Sequence, residues 1–148
     1  MTPFELSSIV TCVVTGLYAG SMLTEAGVLV PYWRKMPPEE FLRLHHTLAP
    51  TLFRFFAPLT VLGTLLPALN VVFGSFALQS VSTYSWIAAV ISLGVLAIYF
   101  GYFKPANQSF AEGSDGEEAA NTLRTWTVWH YVRTLATMIV FSACVLAL

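Results

Sequence analysis

The chain has 148 residues, of which 56% are hydrophobic and only 10% charged, and its formal net charge is −1. A soluble domain carries about 25% charged residues, so the composition excludes an ordinary water-exposed surface and points to a polytopic membrane protein. It also offers no basic stripe to neutralise phosphates, so nucleic acid is not an expected partner.

Four segments reach the roughly 20 apolar residues that a spanning helix needs. They cover about 6–30, 48–73, 84–103 and 122–148. Short connections make successive helices antiparallel neighbours. The expected fold is therefore all-α: one domain over 1–148, a four-transmembrane-helix antiparallel bundle.

The first segment lacks a basic leader, carries Glu25 and is followed by further apolar segments, so it reads as a retained span rather than a cleaved signal. Gly16 and Gly20 allow close approach of a neighbouring backbone. Thr11, Tyr18 and Glu25 are seven apart and form a polar stripe along one face. Cys12 here and Cys144 near the end of the chain read as small core hydrophobes, with no Cys-x-x-Cys pair to suggest redox chemistry.

After it comes "RKMPPEEFLRLHHTLAP". Pro37-Pro38 ahead of Glu39-Glu40 is a helix start, with carboxylates at the positive end of the dipole. The distance from there to Phe73 exceeds one span, which predicts a helix over about 38–47 that lies at the membrane surface or projects beyond it, a bend at Pro50 and kinks at Pro58 and Pro67. The second connection, residues 74–83, has no Lys or Arg. The third, "QSFAEGSDGEEAAN" (108–121), is polar, Gly-rich and acidic, and predicts a mobile loop. All seven Lys and Arg residues lie in or near the first and third connections. The positive-inside rule then places those connections in the cytoplasm and both termini on the non-cytoplasmic side.

The fourth segment opens with "RTWTVWHYVRT" (Arg124 to Thr134), in which Trp126, His130, Arg133 and Thr137 share one helical face. An ionised Arg in hydrocarbon costs a few kcal/mol or more and needs a partner, a wet cavity or a function. Glu25 on the first helix and Arg54 on the second fall in the same half of the membrane. The expectation is one cavity holding Glu25, Arg54, His130 and Arg133, roofed by the His45-His46 segment and Asn107. A buried ion pair that only fixes helix register is the competing reading. His45 and His46 themselves read as interfacial histidines without a role. His130, His46 and Glu25 could in principle supply the two-His-one-carboxylate set of a non-haem iron. The spacing does not support it: adjacent histidines diverge by about 100° on a helix, and no Glu-x-x-His pair exists.

The pattern "KPANQSF" after the third helix and "RTWTVWHYVRT" opening the fourth resembles the anthrone-oxygenase-like family of small four-helix membrane proteins. The family's Pro-x-Asn and Trp-x-x-x-His-x-x-Arg motifs fall here on Pro105, Asn107, Trp126, His130 and Arg133. The resemblance implies an oxygenase that converts anthrones to anthraquinones with molecular oxygen as co-substrate. On that footing His130, or Glu25 acting through it, is the candidate base and Arg133 the group that stabilises the anion. Trp126, Asn107, Arg54, Tyr99 and Tyr102 are the candidate substrate-binding residues. The implied partners are the lipid bilayer and a small hydrophobic aromatic substrate. A metal and a homo-oligomer stay open, as do two other roles: a non-catalytic scaffold or accessory subunit, and a small transporter using His130, Arg133 and Glu25 as a relay.

Overall fold

Each helix begins on a signal visible in the sequence. Thr2 and Glu5 form a reciprocal capping box, with Thr2 Oγ1 accepting from the Glu5 amide at 3.1 Å and Glu5 Oε2 accepting from the Thr2 amide at 2.8 Å. Helix α1 follows, Pro3–Trp33. Helix α2, Pro38–Phe76, starts on the Pro-Pro pair, and α3, Thr83–Glu112, on Ser82, whose hydroxyl accepts from the Tyr84 amide. Helix α4, Gly116–Leu146, is capped by Asp115, which accepts from the Glu118 amide at 2.8 Å. The computed structural model describes residues 1–113 and 115–148.

All four helices are long and apolar enough to cross a membrane. Each packs on its neighbours in sequence, and α4 packs back on α1, closing an antiparallel four-helix bundle. Outward positions such as Leu17, Val28, Val90 and Leu135 are exposed apolar side chains, as lipid contact requires. One end carries the α1–α2 and α3–α4 connections with the basic residues, and is called the basic end below. The opposite end is tied by Ser7, which donates to Asn70 Oδ1 at 2.7 Å, and by Asn70 Nδ2, which donates to Ser8 at 3.2 Å. Cys12 and Cys144 lie free in an apolar cluster near that end.

Two connections differ from expectation. Residues 108–121 are mostly helix: α3 runs to Glu112, Gly113 at φ 85° ends it, and α4 begins at Gly116. The polar composition there serves caps and first-turn carboxylates, so it did not need a loop. The expected loop also included residue 114, which lies outside the described residues. The 38–47 segment is no separate surface helix either, because α2 runs unbroken for 39 residues through Pro50, Pro58 and Pro67. A proline removes only one hydrogen bond from the ladder, and the rest of this long helix carries it. At 1.5 Å per residue α2 is about 58 Å long, against about 30 Å of hydrocarbon, so it projects well beyond the membrane core.

A second departure from plain α-helix occurs twice. Residues Glu25–Leu29 of α1 and Tyr99–Phe103 of α3 wind as π-helix, with the Val30 amide reaching back to the Glu25 carbonyl and the Lys104 amide to the Tyr99 carbonyl. Each is followed by a proline, Pro31 or Pro105, in the same Gly-x-x-x-Pro spacing. A proline ring clashes with the carbonyl four residues back. The widened turn relieves that clash at Gly27 and Gly101, whose outward faces meet no neighbouring atoms.

The close approach of α1 and α2 depends on Gly63. A Cβ there would lie 2.5 Å from Tyr18 Cδ1 and 2.9 Å from its Cβ, and Tyr18 is only 1% exposed. Gly63→Ala is therefore expected to destabilise the bundle by about 1–3 kcal/mol through overpacking. Gly20→Ala, where a Cβ meets nothing within 4 Å, should be neutral or mildly stabilising. Thermal unfolding of the two variants in the same detergent compares them directly.

Candidate functional site

A cavity of about 190 Å³ lies in the basic half of the bundle, with walls from all four helices. The longest wall is one face of α2, where Phe41, His45, Ala49, Leu52, Phe56 and Thr60 recur at three- or four-residue steps. Tyr99, Asn107 and Phe110 come from α3, and Trp33 from α1. An apolar cavity of about 150 Å³ already accommodates benzene, so an aromatic ring fits here without rearrangement. Phe53, 64% exposed, belongs to both the wall and the outer surface. The cavity thus adjoins the lipid-facing side of α2.

The charged groups of the wall are Glu25 from α1 and Arg133 from α4. Both are nearly buried, at 5% and 6% exposure. Glu25 Oε2 lies 3.6 Å from Arg133 Nη2, close enough for an ion pair and too long for a hydrogen bond. Arg133 Nη2 is instead 2.8 Å from His130 Nδ1. A guanidinium has no acceptor, so His130 Nδ1 must accept from it, and the imidazole proton sits on Nε2, facing Thr134 Oγ1 at 3.4 Å. His130 is fully buried and is not part of the cavity wall. Its ring stacks on Trp126, with centroids 5.0 Å apart and planes 4° from parallel. Trp126 is fixed in turn, since its Nε1 donates to Asn107 Oδ1 at 3.0 Å. Below the guanidinium lies Phe103, whose ring centroid is 3.9 Å from Arg133 Cζ, a cation–π contact.

This arrangement leaves hydrogen-bonding capacity unused. Among the described residues Glu25 Oε2 and Arg133 Nε are buried without a hydrogen-bond partner. Buried polar atoms are normally paired. Here the carboxylate and guanidinium stand side by side in the cavity wall, each with one polar atom unpaired among the described residues.

Glu25, Arg133, Trp126, Asn107 and Tyr99 are thus brought to one cavity, with His130 directly behind it. Three expected residues are not part of that wall. Arg54 is exposed on α2, on the other side of the helix from Phe56 and Thr60. Tyr102 packs on Trp129, with its hydroxyl 3.4 Å from the Thr122 carbonyl, because the π-turn rotates Phe103 inward in its place. His46 is exposed and turned away from Glu25 and His130. No group of three or more His, Cys, Asp or Glu assembles among the described residues. His45, expected with His46 as a roof over the cavity but without a role of its own, stands in the wall between Phe41 and Phe110.

A four-helix integral membrane protein with an apolar cavity, a buried carboxylate–guanidinium pair and a Trp–His stack behind it is the class that fold and site define. The anthrone oxygenase family model matches residues 49–143. The chain belongs to that family. The matched region holds Tyr99, Asn107, Trp126, His130 and Arg133, while Glu25 and His45 lie before it. No curated protein and no solved structure matches the chain.

Proposed function

We propose that the protein is a membrane oxygenase acting on a flat, lipid-soluble aromatic ketone with an activated methylene, an anthrone or a close analogue. The observation that carries this reading is the Glu25 carboxylate in the wall of an otherwise largely apolar cavity, beside Arg133 and with hydrogen-bonding capacity free. Family membership supplies the reaction class.

Glu25 removes one methylene proton. The electron pair left behind delocalises onto the ketone oxygen, which Arg133 stabilises as an aryl oxide. Molecular oxygen adds to the carbanionic carbon, and the proton held on Glu25 converts the peroxide anion to a hydroperoxide. Loss of water, which takes the second methylene hydrogen, leaves the new carbonyl. The carbon gives up four electrons; one dioxygen accepts them and becomes the carbonyl oxygen and one water. Because His130 accepts from Arg133 and lies behind the wall, it is a positioning residue that aims the guanidinium. Trp126, Tyr99 and Asn107 line the ring slot. On this reading the basic end faces the cytoplasm, as the positive-inside rule has it.

The test is direct. Membranes containing the protein, supplied with an anthrone under air, are expected to form anthraquinone and consume oxygen in a one-to-one ratio, faster than control membranes. A rate equal to the control, with the protein folded, would remove the oxygenase reading and leave the cluster as a tie between α1 and α4.

A further inference from the structure

A second cavity, of about 240 Å³, lies at the basic end between the end of α1, the start of α2 and the first turns of α4. Helix α4 comes against α2 here at Gly116, where a Cβ would meet Pro38 at 3.7 Å. The small side chains of Ala119 and Ala120 then leave open a space that larger residues would fill. The charged groups of the lining are Arg34 and Arg124, and the rest of it is apolar, with Met36, Phe41 and Leu123 as its larger side chains. Phe41 and Leu123 also line the first cavity, so they form a partition between the two.

Both arginines are exposed, and neither has a counter-charge in the protein. Among the described residues the ion pairs are Met1–Glu5, His130–Glu25 and Arg133–Glu25, and the cation–π contacts are made by Lys104 and Arg133. Carboxylates are present nearby in sequence: Glu39 and Glu40 in the first turn of α2, Glu117 and Glu118 in the first turn of α4. They complement the dipoles of their own helices, and none of them lines the cavity. The cavity therefore presents two positive charges beside an apolar floor.

Depth narrows the occupant. At 1.5 Å per residue Arg124 lies about 33 Å along α4 from Leu146, against about 30 Å of hydrocarbon, which is the level of lipid headgroups. Arg34 follows directly on Trp33, the last residue of α1. A guanidinium matches phosphate oxygens with paired donors. A free phosphate would meet the arginines and leave the apolar floor unused. The phosphate of a lipid brings its glycerol and first acyl carbons onto that floor.

We propose that this cavity seats the headgroup of an anionic phospholipid, its phosphate held between Arg34 and Arg124 and its glycerol lying on Met36, Phe41 and Leu123. The site is separate from the one assigned to oxidation and does not rest on it. A zwitterionic lipid fits less well, because its ammonium adds a like charge beside two arginines and the lining offers no carboxylate to meet it. The bound lipid ties the end of α1 to the start of α4.

The experiment uses the full chain, delipidated in a non-ionic detergent, with dioleoylphosphatidylglycerol, dioleoylphosphatidylcholine or glycerol 1-phosphate added. Bound lipid is counted by native mass spectrometry, and the unfolding midpoint is recorded on the same samples. Wild type is expected to prefer the anionic lipid by about tenfold, the worth of one hydrogen bond to a charged group. That lipid should also raise the midpoint, as a ligand of the folded state does, and glycerol 1-phosphate should leave it unchanged. Arg34→Gln/Arg124→Gln should lose the preference. Lys35→Gln/Arg43→Gln, which removes the same charge from the same end but outside the cavity lining, should keep it. Ala120→Leu keeps both arginines and fills part of the space, so it should weaken binding of the anionic lipid. Equal binding of the two lipids by wild type would overturn the proposal. So would an equal loss in the two double variants, which would reduce the effect to the general attraction of a basic end. Protection by glycerol 1-phosphate equal to that by the lipid would make this a seat for a free phosphate instead. Midpoints of all variants without lipid separate a lost site from a lost fold.

Discussion

Glu25→Gln is expected to lower anthrone oxidation by about two to four orders of magnitude, the range over which a positioned general base contributes, while the bundle stays folded. Glutamine keeps the size and hydrogen-bonding reach of the side chain and removes only its ability to take a proton. Glu25 is the ion-pair partner of the buried Arg133, so the neutral amide leaves that guanidinium without its counter-charge, and the unfolding midpoint should fall as well. The measurement is the initial rate of anthraquinone formation per folded protein, with the unfolding midpoint recorded on the same sample. Turnover near that of wild type would leave Glu25 as a structural partner of Arg133 and move the proton transfer elsewhere.

Arg133→Ala is expected to do the opposite kind of damage. It leaves the Glu25 carboxylate buried without its ion-pair partner, takes the donor away from His130 Nδ1, and empties the space over the Phe103 ring. Removing one member of a buried pair costs about 3–5 kcal/mol. The double variant Glu25→Gln/Arg133→Ala should recover part of that loss, because no uncompensated charge then remains. Unfolding in mixed micelles gives both values. Additive effects, with no recovery in the double variant, would mean that the two charges do not interact. Arg133→Lys keeps the charge and is expected to fold, but it loses the planar guanidinium whose Nη2 lies near both His130 and Glu25 and whose face rests on Phe103. Its turnover should be low.

Much of this site is readable from residue types and periodicity. An Arg and a His inside an apolar run are conspicuous because hydrocarbon penalises them. The four- and three-residue steps from Trp126 to His130 and Arg133 put them on one face without further information. The seven-residue stripe from Thr11 through Tyr18 to Glu25 likewise points the carboxylate inward. What sequence does not carry is the phase of a long helix and any change in its winding. Arg54 and Phe56 are two residues apart on a 39-residue helix, and nothing in the local pattern says which of them faces the cavity. Tyr102 was expected inside because an unbroken α-helix was assumed; the π-turn brings in Phe103. The 108–121 segment misled for another reason: Gly113, Asp115 and Glu118 are equally good residues for a loop and for a C-cap followed by an N-cap.

The wide turn at Glu25 has a consequence in genetic terms. A π-turn is an α-helix holding one surplus residue, so the reading frame contains a codon whose loss the span itself could absorb. A chain lacking Val28 could close the wide turn to plain α-helix and keep the flanking turns on their faces. A residue lost from a plain α-helical part of the span has no such outlet and would rotate the acid by about 100° relative to Pro31 and the turn that follows. Among related genes, a spacing one residue shorter between this carboxylate and the following proline therefore does not by itself displace the acid.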